Sequence, residues 1–527
     1  MEISSWIAHR ALWSPEKTAL RFEGREITYA QLEAQVAHLA GGMASELSVH
    51  QGDRIAYLGQ SSPELLALLF ACARVGAILV PLNARMTMEQ LRVILSNCQP
   101  RCIFVEAPFR QQAEGCLEGM ADVQLILFAG TSSGELDSLE LETLVGNAEA
   151  VQWNKELPLD TAVLIAYTSG TTGIPKGAVL TQEALFYSAL NSTLAYDMTS
   201  NDEILTIFPM FHVGGMTVQT TPAIHAGATV TILRQFDPGH ALKEIERQGI
   251  TLMVASPAMA RAFSSHPNWN NSDISSLRCV GLGAAIVTSE VIRPWAERAV
   301  PTAGIYGLTE ALPPAIAVPI NEAQRKVGSI GVAPLYYQAR VVGMDMQDLE
   351  TGERGEIVLK GPGIFKEYWA NPKASQEAFS DGWFHTGDVG HIDEEGYFYI
   401  DDRMKDIVIV GASNVYPADL ERILDECEAI AEVAVIGRPD AKTGEALVAC
   451  VVVKEGYSLT AEQVKGLLEG RLASYQHPQD VVFMDSLPHT AVGKVQKPKL
   501  RQMVMNTLNT SHLRSQNLVT SRDMVQI

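Results

Sequence analysis

The stretch Tyr167-Thr168-Ser169-Gly170-Thr171-Thr172-Gly173-Ile174-Pro175-Lys176-Gly177 lies between two short apolar runs and constrains the chain more than any other. Val163–Ala166 before it and Ala178–Leu180 after it have the length and composition of buried strands, so the stretch is a loop joining two strands. Gly170, Gly173 and Gly177 free the backbone to turn several N–H groups toward one anion. Ser169, Thr171 and Thr172 add hydroxyl donors, and Lys176 adds a point charge. A Walker loop needs Gly-Lys followed by Ser or Thr and then a helix. Here Pro175 precedes the lysine, Gly177 follows it and a strand comes next, which disfavours ordinary P-loop NTPases. On the loop alone, a phosphate cradle and a plain polar turn both remain open.

A chain of 527 residues exceeds what one hydrophobic core organises, so two or more domains or subdomains are expected. The formal charge of −21 argues against a nucleic-acid or anionic-membrane surface, and any phosphate site must be locally basic against that background. Seven scattered cysteines with no metal-ligand spacing fit a reducing cytoplasm. The N-terminus carries no secretory signal pattern. Leu65–Leu82 contains Arg74 and Gly76 and follows Ser62-Pro63-Glu64, so it reads as a capped core helix running into the strand Ala77–Val80, not as a membrane span.

Strands are expected near Thr18–Phe22, Arg54–Leu58, Cys102–Val105 and Leu125–Phe128, and helices from Thr28, from Pro63 and from Thr181 to about Tyr196. This alternation predicts an α/β architecture with mostly parallel sheets. Ser132–Asp160 is acidic and poorly periodic and is expected to be a surface connection. No internal repeat is present.

Five further segments carry chemistry. Phe208-Pro209-Met210-Phe211-His212-Val213-Gly214-Gly215-Met216 is apolar around one histidine, which in such company is more often a satisfied core residue than a functional one. Cys279-Val280-Gly281-Leu282-Gly283-Ala284-Ala285-Ile286 begins like a dinucleotide fingerprint but lacks the third glycine. Tyr306-Gly307-Leu308-Thr309-Glu310 offers a carboxylate suited to a hydrated Mg²⁺, which takes few protein ligands. Gly382-Trp383-Phe384-His385-Thr386-Gly387-Asp388 ends on a carboxylate able to accept two donors, and Asp402-Arg403-Met404-Lys405-Asp406 is a charged run. Beyond them stand Gly411–Glu421 and Leu487-Pro488-His489-Thr490-Ala491-Val492-Gly493-Lys494-Val495-Gln496-Lys497.

In order and spacing, from about Trp6 to Arg501, these segments and the loop resemble the adenylate-forming superfamily, which includes acyl-CoA synthetases, firefly luciferase-like enzymes and peptide-synthetase adenylation domains. The resemblance implies a large N-terminal domain of mixed and parallel sheets with flanking helices, residues 1–402, and a hinge at 403–406 pivoting on Lys405. A small mobile α+β domain, 407–501, and a polar tail, 502–527, would follow. It places Thr168, Ser169, Gly170, Thr171, Thr172, Gly173 and Lys176 around the phosphates of ATP, with Gly283, Ala284, Tyr306 and Gly307 beside adenine and the acyl group. Thr309 would lie near the α-phosphate, and Glu310 with Thr171 would hold Mg²⁺. Asp388 and Arg403 would contact the ribose, Gly411 would admit the pantetheine arm of CoA, and Lys494 would be the mobile catalytic lysine. His212 stands where peptide-synthetase domains usually carry an aspartate for an α-amine, and a buried ammonium needs such a partner. An acid without an α-amine is therefore implied. Leu282, Ala285, Ala412, Ser413 and the aspartate before Arg403 depart from the family pattern.

The implied reaction joins a fatty or aryl monocarboxylic acid to CoA through acyl-AMP, with ATP, Mg²⁺ and CoA required. No nucleic acid or transmembrane segment is expected, and the enzyme would be a cytoplasmic monomer or homodimer. A stand-alone adenylation protein loading a carrier-protein thiol and a degenerate nucleotide-binding regulator are the alternatives; intact Glu310, Asp388 and Lys494 argue against the regulator.

Overall fold

The computed structural model describes residues 2–120, 122–128, 139–140, 144, 146, 148–153, 156–168, 175–411, 413–440, 442–490 and 493–505. The chain divides into two compact units. The first is the chain as far as Arg340 with Val358–Thr386 and Glu395–Phe398; the second is Val341–Ile357, Gly387–Glu394 and the chain from Tyr399 onward.

Two eight-stranded sheets build the first unit. One runs, in spatial order, Glu367–Tyr368, Lys176–Thr181, Ala162–Thr168, Ile78–Asn83, Arg54–Gly59, Cys102–Glu106, Gln124–Phe128 and Leu139–Glu140. Its central strands are parallel, whereas Ala162–Thr168 and Lys176–Thr181 pair antiparallel, with Thr168 opposite Lys176 and Tyr167 opposite Gly177. The glycine-rich loop therefore closes a hairpin, and residues 169–174 at its tip lie outside the described residues. Packing also requires glycine at 177: a Cβ there would stand 2.7 Å from Ile165 Cγ2 and 3.0 Å from the Tyr167 ring, and its carbonyl accepts from Trp369 N at 2.7 Å.

The other sheet runs Ile316–Ala317, Thr302–Tyr306, Cys279–Leu282, Leu252–Ala255, Glu203–Thr206, Thr229–Ile232, Thr18–Phe22 and Arg25–Thr28. Only its end pairings are antiparallel. Caps begin the flanking helices where the sequence places them. Thr28 forms a capping box for Tyr29–Ser45, Ser62 accepts from Leu65 N ahead of Pro63–Val75, and Thr181 accepts from Ala184 N ahead of Gln182–Ala195. Pro63–Val75 ends at Gly76 in the left-handed conformation, φ +75°, and its residues Leu65–Arg74 are all buried. No described helix is long and apolar enough to cross a membrane.

The expected surface connection over Ser132–Asp160 is partly structural. Leu139–Glu140 supplies the edge strand of the loop-bearing sheet and Leu144 is fully buried. Val151 N donates to Ala37 O at 3.0 Å, which ties the segment to the helix Tyr29–Ser45. Residues 129–138 lie outside the described residues.

A five-stranded sheet of Gln338–Val342, Gly355–Lys360, Trp383–Ile392 and Phe379–Ser380, with Phe398–Arg403 beside Trp383–Ile392, carries the chain from one unit to the other. The second unit's own sheet orders Ser413–Val415, Val408–Val410, Gly444–Val453 and Ile430–Asp440, with Asp480–Phe483 beside Gly444–Val453. Because side chains alternate across a strand, this sheet has a core on each face. Val435 and Val451 meet Leu420 and Leu424 on one side; Ala434, Ile436 and Cys450 meet Leu487, Leu500 and Val504 on the other. Residues 497–505 are helical, so the core continues past the point where the sequence turns polar. All seven cysteines are unpaired; six are buried and Cys427 is half-buried. Burial pushes the thiols of Cys98, Cys102, Cys279 and Cys450 up to about 12.

Candidate active site

In the first unit, Thr302–Tyr306, Cys279–Leu282, Leu252–Ala255 and Glu203–Thr206 are parallel neighbours, so the turns that follow them leave one sheet edge together. From Glu203–Thr206 the chain crosses to Thr229–Ile232 on one side, whereas Leu252–Ala255 lies on the other and leads on to Cys279–Leu282. Ligands of doubly wound sheets bind where connections diverge in this way, at the carboxyl ends of the strands. The segments Phe208–Gly214, Gly283–Ala284 and Tyr306–Glu310 all issue from that edge.

Each is held by its backbone. His212 is half-buried and caps a one-turn helix, Val213–Met216: its Nδ1 accepts from Gly214 N at 2.9 Å, which fixes the other ring nitrogen as the N–H. A Cβ at Gly215 would lie 2.4 Å from Pro209 O, and Met210 N donates to Ser61 Oγ at 3.0 Å. A Cβ at Gly283 would lie 2.6 Å from Ile305 O. Ala284 follows at φ +71°, a left-handed backbone that a Cβ resists and that local packing must enforce. After Tyr306, Leu308 and Ala311 exchange backbone hydrogen bonds at 3.2 Å, and Ala315 N returns to Tyr306 O. Gly307 is needed there, because a Cβ would lie 2.7 Å from Pro313 Cγ. Thr309 is half-buried on the resulting bend, and Glu310 is 9% exposed. Ala311 is fully buried.

Glu310 and the loop hairpin meet at a residue the sequence did not single out. Tyr368 OH donates to Glu310 Oε1 at 2.8 Å, and Lys176 Nζ lies 5.1 Å from the centre of the Tyr368 ring. The edge strand Glu367–Tyr368 pairs with Ala178 and Val179, and Phe365 N donates to Glu310 O at 2.8 Å. Burial, and then the charge of Glu310, push the Tyr368 phenol above its ordinary range. Thr168 sits at the hairpin's first strand end, its Oγ1 3.4 Å from Lys176 O. Ser169, Gly170, Thr171, Thr172 and Gly173 lie outside the described residues.

The second unit gathers another set. Asp388, almost fully buried, pairs with Arg403 Nε at 2.5 Å. Asp402 accepts from Arg403 N at 2.7 Å and Ala418 N at 2.9 Å; burial raises its carboxyl, against the pull of Lys497. Lys497 Nζ bonds Glu421 at 2.8 Å. Burial opposes its charge, but Glu421 and Asp402 outweigh that and hold its ammonium above the ordinary range. Lys405 is exposed on a 3₁₀ turn, Met404–Asp406, whose Asp406 pairs with Arg501 at 2.7 Å. Gly411 has φ +66° with open space where a Cβ would stand. Lys494 follows a reversal in which Thr490 N donates to Lys494 O at 2.8 Å, Gly493 N to Thr490 O at 3.0 Å, and Gly493 has φ +81°.

Tyr368 is not singled out by the sequence, and Lys497 and Glu421 stand there only as the ends of two segments, with no role. Nothing in the spacing of Lys366-Glu367-Tyr368-Trp369 signals a partner fifty-eight residues upstream. Lys497 closes a segment whose composition gives no sign that this lysine is buried against Glu421.

For Mg²⁺ the donor set fits. A carboxylate has about four lone-pair sites, so Glu310 can accept from Tyr368 and still meet a cation. Among the described residues no three metal-binding side chains cluster.

Fold and side chains together define a large α/β protein in which Tyr368 engages both the carboxylate Glu310 and the lysine Lys176. Residues 7–369 match the AMP-binding enzyme family and residues 419–494 its C-terminal domain. The chain belongs to the AMP-binding enzyme family. It is 45% identical to an indoleacetate–CoA ligase of Aromatoleum aromaticum, over 96% of this chain and 98% of that protein. It is 36% identical to a feruloyl-CoA synthase of Amycolatopsis, over 95% and 98%. Among solved structures, ATP-bound MatB of Rhodopseudomonas palustris superposes with TM-score 0.87 at 31% identity, over 95% of this chain and 99% of that one.

Proposed function

We propose that the protein is an ATP-dependent carboxylate–CoA ligase that activates an aryl monocarboxylic acid. The supporting observation is its 45% identity, nearly end to end, with an indoleacetate–CoA ligase. A carboxylate oxygen attacks the α-phosphorus of ATP; the new C–O–P link forms as the bond to pyrophosphate breaks. The CoA thiol, losing its proton to solvent, then attacks the acyl carbon, and AMP leaves with the bonding pair. The chain's part is positioning and charge, with no covalent enzyme intermediate. Lys176 and Lys494 offset charge on the phosphoryl oxygens, Thr309 faces the α-phosphate, and the hairpin tip from Ser169 to Gly173 cradles the phosphates with Thr168. Asp388 and Arg403 bind the ribose, while Tyr306, Gly307, Gly283 and Ala284 border adenine. Mg²⁺ would be held by Glu310 and Thr171 and would supply charge neutralisation on the triphosphate.

His212, with Val213 and Gly214, borders the acyl group. No cation is assigned there, which favours an apolar monocarboxylate over a diacid. Gly411 admits the pantetheine arm. Residues 1–402 form the adenylation domain, 403–406 the hinge, and the chain from 407 the small domain, whose core reaches past the expected boundary at 501 to Val504. The unpaired cysteines support a reducing, cytoplasmic setting.

The test is product analysis across indoleacetate, phenylacetate, ferulate and C8–C16 fatty acids, with and without CoA. AMP and pyrophosphate with CoA-dependent turnover are expected, largest for an aryl acid. ADP and phosphate as main products would refute the class, and a pyrophosphate burst without CoA turnover would favour loading of a carrier-protein thiol.

A further inference from the structure

We infer that Tyr368 is a positioning residue for the adenylation step, holding Glu310 and Lys176 apart and aimed at one point; the inference rests on the roles proposed above for those two residues. A lysine and a buried carboxylate near one another attract, and an ion pair between them would neutralise both before a nucleotide arrived. Among the described residues no such pair forms. Tyr368 occupies both groups instead: its hydroxyl takes Glu310 Oε1 at 2.8 Å, and its ring face lies 5.1 Å from Lys176 Nζ, within cation–π range. One side chain thus serves the carboxylate with its polar tip and the ammonium with its apolar face.

The tyrosine is itself fixed. Phe365 packs against its ring at 4.7 Å between centres, and Phe379 stacks on Phe365 at 5.3 Å. Tyr368 N donates to Ser375 Oγ at 2.9 Å. Its strand neighbour Trp369 donates its backbone N–H to Gly177, the residue after Lys176, while Phe365 N holds the Glu310 carbonyl. The five-residue segment Phe365–Trp369 therefore ties the backbones at or next to both partners as well as engaging their side chains.

Tyr368→Phe removes the hydroxyl and keeps the ring; Tyr368→Leu removes both. Two readouts are needed on the full-length protein: Mn²⁺ binding to the enzyme–ATP complex by electron paramagnetic resonance, and ATP binding in EDTA by calorimetry. Tyr368→Phe should weaken Mn²⁺ binding about tenfold while leaving metal-free ATP binding within twofold of wild type. Tyr368→Leu should in addition weaken metal-free ATP binding about fivefold, because Lys176 loses its support. Thermal midpoints check that both variants fold. Wild-type Mn²⁺ binding in Tyr368→Phe overturns the inference, as does equal metal-free ATP binding in the two variants. Failure of the wild type to exchange pyrophosphate with any acid would instead overturn the proposed ligase activity, leaving the binding results to judge Tyr368 separately.

Discussion

Glu310 and Lys494 are the two side chains on which the proposed adenylation step puts most weight. Removing one preorganised charge from a phosphoryl-transfer site costs on the order of 10²–10³ in rate. Glu310→Ala and Lys494→Ala should each lower acid-dependent pyrophosphate exchange by about that factor. Thioester formation from supplied acyl-adenylate should survive Lys494→Ala within a few-fold; normal exchange in that variant would remove the lysine from the mechanism. A third residue, His225, bears on acid stability. His225 packs its ring between Trp6 and Phe186, and its buried Nδ1 has no partner among the described residues. Burial, and then Arg10, depress its pKa from 6.5 to about 4. The unfolded chain takes up this proton near 6.5 and the native one only near 4, so stability is full above 6.5 and is lost as pH falls through that window. The total is about 3 kcal/mol. Urea titrations at pH 7.5 and 4.5 should show His225→Gln losing less stability with acid than wild type by about that amount.

At the scale of elements, the hinge makes the sharpest prediction. Proline fixes φ near −65° and removes an N–H, at a cost of about 3 kcal/mol wherever another conformation or that donor is needed. If the Met404–Asp406 turn must adopt two conformations, Lys405→Pro should spare pyrophosphate exchange and slow thioester formation about a hundredfold. Equal loss of both in a folded variant would move the pivot elsewhere. Elements were also what the sequence displayed best. Thr28, Ser62 and Thr181 announced helix starts because a cap is a local interaction, and short apolar runs announced the strands flanking the loop. Leu139–Glu140 was hidden because a two-residue edge strand has no period to detect. The contacts of Tyr368 with Glu310 and of Lys497 with Glu421 were hidden for a different reason. They join residues 58 and 76 apart, and pairing at that distance is decided by the packing of whole sheets. Ala284 read as merely small; its left-handed backbone emerged only with Ile305 against Gly283.

For the whole molecule, binding should register as stability. A ligand held only by the folded state adds RT ln(1 + [L]/Kd), about 2.7 kcal/mol at a hundredfold excess over Kd. ATP with Mg²⁺ should therefore raise the thermal midpoint, and a true acid substrate should raise it further as acyl-adenylate accumulates. Added CoA should reverse that second rise, and Lys494→Ala should show the first rise without the second. A second acid-dependent rise in Lys494→Ala equal to wild type would contradict the lysine's assignment. The cysteine distribution has a practical corollary. Maleimide couples to exposed thiolates, and six of the seven thiols are sealed in the interior. Cys427, just beyond the helix Pro417–Asp425, is the half-buried exception. The native wild-type protein should accept one fluorophore per chain, and Cys427→Ser none. A dye could then be placed in the second unit without engineering, so that its turnover could be watched optically in single molecules.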